Sequence, residues 1–181
     1  MNIVLVGYRC SGKTTVGKLL ARDLKRKFLD TDRFIEGNTG LPIHSYVSQK
    51  GWRDFRAVEK EVVSNVASRD DLVIATGGGV VIDRENVRNL KKNGWVVWLD
   101  TGVSVIRERM KKTQRSGEFR PALSGADPLR EIDRILHERM PAYENACDYR
   151  VGTDSNTSEE VAQVIIGALP QWHKNNMAGG F

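Results

Sequence analysis

A glycine-rich octapeptide near the start of the chain constrains the fold more strongly than any other feature. It reads Gly-Tyr-Arg-Cys-Ser-Gly-Lys-Thr and covers residues 7–14. The apolar run at residues 3–6 precedes it directly, and the residues that follow, 13–25, are predicted to form a helix. A glycine-rich turn between an apolar strand and a helix is typical of the first βα unit of a parallel α/β fold.

The rest of the chain continues this alternation of strands and helices. Strands are predicted at residues 3–6, 27–29, 72–75, 96–99 and 149–151. Helices are predicted at residues 13–25, 53–66, 84–92, 103–112, 129–145 and 158–169. The first and fourth strands are almost continuously apolar, which is typical of strands that helices cover on both faces. The sequence therefore predicts a three-layer α/β/α fold around a parallel sheet.

The length of 181 residues predicts one domain, which we place at residues 1–170. Two segments, 37–51 and 113–125, interrupt the alternation and are polar or rich in glycine. Long loops in a small domain are either plain surface excursions or functional lids, and composition does not decide between the two. Residues 171–181 are predicted to form a flexible tail.

Charge and composition narrow the range of partners. The net charge of +5 fits either a mildly basic soluble protein or a positive cleft that attracts anions. Nucleic acid is not an expected partner, because the basic residues are interleaved with acidic ones and no nucleic-acid-binding signature is present. No apolar run reaches the roughly 20 residues that span a bilayer, and the N-terminus has no signal-peptide pattern. We therefore expect a cytoplasmic monomer without a membrane partner. Cys10 and Cys147 match neither a disulfide framework nor a zinc site.

The octapeptide satisfies the pattern G-x-x-x-x-G-K-[ST] of a phosphate-binding loop. In such a loop, successive backbone N–H groups point at phosphate oxygens, and the N-terminus of the next helix adds positive charge. Lys13 is predicted to reach the β- and γ-phosphates of ATP, and the Thr14 hydroxyl to bind Mg²⁺. The predicted ATP-binding residues of this segment are Gly7, Cys10, Ser11, Gly12, Lys13, Thr14 and Thr15.

Three further short motifs carry chemistry. Asp30 and Asp32 come at the end of the second strand, where one carboxylate could serve a metal and the other an acceptor hydroxyl. The alternative is a polar turn in which Asp32 caps a helix. Arg56, with Glu59 three residues on, is either a fork for a carboxylate or an ordinary solvated arginine. Residues 77–79 are three glycines after the third strand, and they permit a ligand to approach the backbone closely.

Two more arginines complete the set. Arg120 precedes a proline in the second polar segment, and Arg139 begins an Arg-x-Pro-x-Tyr sequence at the end of a predicted helix. The chain has no Asn-Lys-x-Asp motif of GTPases and is too short for most motor ATPases. A gluconate or nucleotide kinase and a non-catalytic nucleotide-binding module remain open at this point.

In this order, the phosphate-binding loop, Asp-Thr-Asp, Phe-Arg-x-x-Glu, the three glycines, Arg-Pro and Arg-x-Pro-x-Tyr resemble the shikimate kinase family. The resemblance covers residues 1 to about 169. It implies a nucleoside-monophosphate-kinase-like fold with a five-stranded parallel sheet of order 2-3-1-4-5. It also implies a substrate-binding region at about residues 31–60 and a lid at about 113–125.

The resemblance implies transfer of a phosphoryl group from ATP to the 3-hydroxyl of shikimate, a step toward chorismate and the aromatic amino acids. The implied shikimate-binding residues are Asp32, Arg56, Gly77, Gly78, Gly79 and Arg139. The implied catalytic residues are Lys13, Asp32 and Arg120, with Arg120 also on the ATP phosphates. Thr14 is the implied magnesium ligand, and Asp30 is implied to hold metal-bound water. The sequence departs from the family at Cys10, where glycine is common, and at Trp52, where an acidic residue is common.

Overall fold

Within the part of the chain that the computed structural model describes, residues 1–115, 129 and 131–170, five short strands form one sheet. The strands are β1 (Asn2–Val6), β2 (Lys27–Asp30), β3 (Leu72–Ala75), β4 (Gly94–Asp100) and β5 (Tyr149–Gly152). Their order is β2-β3-β1-β4-β5, and every neighbouring pair is parallel. In the middle of the sheet, Val4 of β1 lies opposite Ile74 of β3 and Val96 of β4. The predicted fold class and strand order are confirmed.

The helices of this described part lie on both faces of the sheet. They are α1 (Lys13–Asp23), α2 (Thr31–Thr39), α3 (Ile43–Ala67), α4 (Arg84–Lys92), α5 (Val103–Arg115), α6 (Ile132–Ala146) and α7 (Ser158–Ala168), with a 3₁₀ turn at Val80–Ile82. One apolar core packs the sheet against α1 and α7, and the other packs the opposite face against α3, α4, α5 and α6. Because successive strand residues point to opposite faces, strands covered on both sides have to be apolar throughout. β1 and β3 are buried along their whole length for this reason.

The predicted bounds of β3 and α4 agree with the structure, and the other predicted elements differ from it at their ends. The prediction of a broken, partly polar stretch at residues 37–51 is wrong. Helix α2 runs to Thr39, and residues from Ile43 onward are again helical. Gly40, at φ +68°, ends α2, and Gly51, at φ +84°, breaks the helical geometry inside α3. These two glycines do interrupt regular structure, but they do so at the end of one helix and inside the next, and not in a loop.

The second polar segment, 113–125, begins inside a helix, because α5 continues to Arg115. The remainder of the segment and the tail at 171–181 lie outside the described residues, as does Arg120. Among the helices described, none is both long and apolar enough to cross a membrane.

Candidate active site

A cleft of about 890 Å³ opens at the carboxyl ends of β1, β2 and β3. In parallel α/β sheets, ligands bind at this edge because the loops that leave the strands converge there. The wall of the cleft is formed by the phosphate-binding loop, the start of α2, part of α3, the three glycines after β3, and Arg139 of α6. The predicted site residues within the described part of the chain therefore lie around one cleft, apart from Gly7, whose loop forms part of its wall.

The phosphate-binding loop is wrapped around the Lys13 ammonium. Nζ of Lys13 donates hydrogen bonds to the carbonyl oxygens of Gly7 at 2.9 Å and Tyr8 at 2.8 Å. Gly7 has φ +147°, and a Cβ there would lie 2.7 Å from the Leu99 carbonyl oxygen, so only glycine fits. Gly12, at φ +99°, precedes α1 without a side chain to cap its first N–H groups. An uncapped helix start beside a buried ammonium is well suited to bind phosphate.

Thr14 and Asp30 bring two oxygen donors together beside this loop. The Thr14 hydroxyl donates to Oδ2 of Asp30 at 2.8 Å, while Oδ1 of Asp30 accepts from the backbone N–H of Asp32 at 3.1 Å. Asp30, and not Asp32, is therefore the residue that caps α2. Asp32 lies in the first turn of that helix and lines the cleft.

Arg56 is held at the cleft wall by a buried carboxylate. Its Nη1 lies 2.5 Å from Oε2 of Glu59, whose side chain is 2% exposed against 29% for Arg56. Burial raises the pKa of Glu59, and the charge of Arg56 opposes that shift. The guanidinium also lies over the rings of Trp52 and Phe55, at 5.5 and 5.3 Å from their centroids. This arginine is thus fixed in place rather than solvated, which favours the carboxylate-fork interpretation.

Each of the three glycines lies against a different functional group. A Cβ on Gly77 would lie 2.7 Å from Oδ1 of Asp32, and one on Gly79 would overlap the guanidinium of Arg56. The carbonyl oxygen of Gly78 accepts from Nη1 of Arg139 at 3.1 Å and from the Tyr143 hydroxyl at 2.6 Å. Both polar residues of the Arg-x-Pro-x-Tyr sequence of α6 therefore form hydrogen bonds with this turn.

The sequence analysis missed Arg109 of α5. It lines the cleft and donates to the carbonyl oxygen of Cys10 at 3.3 Å and to that of Thr153 at 3.1 Å. It thereby joins the phosphate-binding loop to the segment after β5. Nothing in the sequence distinguishes Arg109 from the other basic residues of α5, since only the tertiary fold brings Cys10 and Thr153 to it.

The sequence of this chain and its structure are both similar to those of known proteins. A family model described as shikimate kinase matches residues 9–170. A shikimate kinase of Moorella thermoacetica is 44% identical over 171 residues, which are 94% of this chain and 95% of that protein. One of Thermodesulfovibrio yellowstonii is 43% identical over 165 residues, which are 91% and 92% of the two chains. The structure of a shikimate kinase from Acinetobacter baumannii in complex with shikimate superposes with a TM-score of 0.85, at 36% identity over 97% of this chain and 93% of that one.

Proposed function

This chain belongs to the shikimate kinase family, and on that premise we propose that it transfers the γ-phosphoryl group of ATP to the 3-hydroxyl of shikimate. The products are shikimate 3-phosphate and ADP, on the route to chorismate and the aromatic amino acids. The observation that carries the proposal is the meeting, in one cleft beside the phosphate-binding loop, of Asp32, Arg56 and Arg139 with the three glycines. Such a site offers cationic forks for a carboxylate and an acceptor for hydroxyl groups.

The nucleotide end of the site consists of the loop residues Gly7, Cys10, Ser11, Gly12, Lys13, Thr14 and Thr15. When ATP binds, Lys13 exchanges its contacts with the Gly7 and Tyr8 carbonyl groups for phosphate oxygens. Arg120 is proposed as a second cation for the transferred phosphoryl group, on the strength of the family resemblance alone.

The chemistry of the nearby donors fits Mg²⁺. Thr14 and Asp30 present only oxygen atoms, the ligands that Mg²⁺ prefers, and Thr14 would bind the ion directly while Asp30 would hold a coordinated water. Among the described residues, no group of three or more His, Cys, Asp or Glu side chains could hold a metal by itself. That suits an ion that is bound mainly through the phosphates of ATP. Bound there, Mg²⁺ neutralises charge that develops on the phosphates.

The acceptor end is proposed to be formed by residues 31–60 together with Gly77, Gly78, Gly79 and Arg139. Glu59 engages one nitrogen of Arg56, and a guanidinium has five N–H donors, so donors remain for the shikimate carboxylate. Arg139 supplies the second fork from α6. The glycines let the ring of the acceptor lie close to the backbone without meeting a Cβ.

Asp32 is proposed to hold the reacting hydroxyl and to accept its proton. It lies in the N-terminal turn of α2 and lines the cleft together with the phosphate-binding loop and Arg56. An ionised carboxylate offers only acceptors, so it orients a hydroxyl with its oxygen free to attack phosphorus. The rest of the catalytic effect is positioning and charge neutralisation, which is what phosphoryl transfer mainly demands of a protein.

The test is an ADP-release assay with ATP, with and without Mg²⁺, and with shikimate, gluconate or a nucleoside monophosphate as acceptor. We expect turnover only when Mg²⁺ and shikimate are both present. A Lys13→Met variant, purified in parallel, should show the background of any contaminating kinase. Equal rates of ADP release with and without shikimate would refute the proposed function.

A further inference from the structure

A buried ion pair joins the phosphate-binding loop to the start of α6. Nη2 of Arg9 lies 3.7 Å from Oε1 of Glu131, and the two side chains are 9% and 1% exposed. Glu131 is the residue at the N-cap of α6, and Arg9 lies in the middle of the loop. Burying two charges is costly even when they are paired, so such a pair contributes little to stability compared with apolar packing. Such a pair can instead fix the relative position of the two elements that it joins.

Farther along α6, two side chains contact the turn of three glycines, which lines the same cleft. Arg139 and Tyr143 both donate to the carbonyl oxygen of Gly78. Gly78 in turn lies against the loop, because a Cβ on it would be 3.1 Å from the backbone nitrogen of Arg9. The loop, α6 and the glycine turn therefore form a closed ring of contacts.

Tyr8 contacts two arginines that take part in this closed set of contacts. Its buried aromatic ring has the guanidinium of Arg9 at 5.7 Å and that of Arg139 at 6.0 Å from its centroid. Cation–π contacts of this kind hold both arginines against one rigid ring. Arg9, which pairs with the start of α6, and Arg139, which faces the acceptor, therefore both contact the Tyr8 side chain.

We propose that Arg9 and Glu131 are positioning residues for phosphoryl transfer. They keep the phosphate-binding loop and α6 at a fixed separation, so that the γ-phosphorus and the acceptor hydroxyl meet in line. This inference rests on the proposed function, since it concerns the same cleft. The pair acts through the loop and the helix that it joins, and its effect belongs to the chemical step. A misplacement of about 1 Å between reacting groups costs on the order of 10² in rate, while binding of each substrate alone changes little.

The distance of 3.7 Å is longer than an ordinary hydrogen bond, so the attraction depends on the two charges more than on the fork geometry of arginine. Arg9→Lys, which keeps the charge, should therefore lose less activity than Arg9→Met, which keeps only the length. Glu131→Gln removes the opposite charge with almost no change in shape.

The structure offers a matched control in the same turn of α6. Asp133 pairs with Arg107 at 2.6 Å, but both side chains are exposed and neither lines the cleft. Asp133→Asn therefore removes a carboxylate from α6 without touching the ring of contacts. The measurements are kcat with shikimate, and the dissociation constants of shikimate and ADP determined separately by calorimetry, all well below the melting temperature of each variant.

We expect kcat to fall at least about tenfold in Glu131→Gln and Arg9→Met, while each dissociation constant stays within about threefold of the wild type. The Arg9→Met/Glu131→Gln double variant should lose no more than the worse single variant, because the two residues act as one unit. Asp133→Asn should keep kcat within about twofold, as expected for an exposed pair.

The inference is overturned if Glu131→Gln keeps the kcat of Asp133→Asn, or if only one ligand loses affinity while kcat is unchanged. If Glu131→Gln does not fold, the comparison of Arg9→Lys with Arg9→Met decides, and equal kcat values in those two variants reject the inference. Failure of the proposed function is seen separately, because the wild type would then not turn over shikimate at all.

Discussion

At the scale of single residues, the position of Arg56, which we propose binds the acceptor carboxylate, depends on a neighbouring carboxylate of the protein. Glu59 is almost fully buried and holds Arg56 at 2.5 Å. Burial disfavours the charged form and raises the pKa of Glu59 above its usual value of 4.5, although Arg56 pulls in the other direction. Protonation of Glu59 would weaken its hold on Arg56, so the proposed affinity of Arg56 for an acceptor carboxylate should depend on pH.

The sign of this linkage gives a prediction. As pH falls through the raised pKa of Glu59, the ion pair weakens and the KM for shikimate should rise. The free energy of unfolding should show the opposite trend. Because the folded state binds the proton more tightly than the unfolded state does, the contribution of Glu59 to stability is fully present below pH 4.5 and is lost as pH rises through the folded pKa.

Glu59→Gln is the variant that checks the trend in the KM for shikimate. It should raise the KM for shikimate about tenfold at neutral pH, the loss expected for one charge-assisted hydrogen bond of about 1.5 kcal/mol. It should also flatten the pH dependence of that KM above pH 4.5, while the KM for ATP stays unchanged. A variant that keeps the wild-type pH profile for shikimate would show that another group controls it.

At this scale the sequence predicted the residues whose role depends on local spacing. The lysine and threonine of the phosphate-binding loop, and Arg56 with Glu59 one helical turn away, follow from patterns that fold locally. The contacts of Arg109 with Cys10 and of Glu131 with Arg9 do not, because they join residues far apart in the chain. A single sequence carries no signal that separates these charged residues from the many that face solvent.

At the scale of secondary-structure elements, the region between β2 and α3 shows why the glycine-rich stretch was misread. Its glycines argue against a helix when propensities are summed, but Asp30 caps α2 from outside and Ile35 is fully buried. Cap and burial together outweigh the low propensity. The cap is local, but the burial of Ile35 is not visible from the sequence because its packing partners come from tertiary structure.

The turn formed by the three glycines gives a prediction about the packing of this turn against α3. Gly79 has φ −109°, so alanine is compatible with its backbone, but the added Cβ would overlap the guanidinium of Arg56. Gly79→Ala should therefore displace Arg56 and raise the KM for shikimate about tenfold or more, the cost of one charged hydrogen bond, with little change in the KM for ATP.

Gly167→Ala serves as the control for that substitution. Gly167 lies in α7 and does not line the cleft, and a Cβ there would meet no described atom within 4 Å beyond its chain neighbours and the backbone of its own helix. This variant should keep the wild-type kinetics and gain up to about 1 kcal/mol of stability, since alanine is the better helix former. If Gly79→Ala binds shikimate as the wild type does, Arg56 can move aside and the close packing at this turn is not required.

At the scale of the whole molecule, α6 links the larger core to the site. Tyr143 is completely buried, stacks on Trp98 of β4 with ring centroids 5.6 Å apart, and donates its hydroxyl hydrogen to Gly78. The ring packs in the core, and the hydroxyl bonds to Gly78, which lines the cleft. Because burial raises the pKa of Tyr143 well above its usual range, the hydroxyl keeps its proton and remains a donor at neutral pH.

Tyr143→Phe should separate these two roles. The ring and its stacking on Trp98 remain, while one hydrogen bond of 2.6 Å is lost, so the free energy of unfolding should fall by about 1–2 kcal/mol and the melting temperature by roughly 2–8 °C. The matched control is Tyr149→Phe, in which a half-buried tyrosine stacks on Trp95 across the other face of the sheet. There the change should stay within about 0.5 kcal/mol. Urea unfolding of both variants, followed by far-UV circular dichroism, measures the difference.

Because Arg139 still donates to Gly78 in Tyr143→Phe, the KM for shikimate should rise only about threefold, less than the loss of a full hydrogen bond of about 1 kcal/mol would cause. Equal destabilisation in the two variants would show that the hydroxyl of Tyr143 adds nothing to the joint between core and cleft, and that the stacked ring alone holds α6 in place.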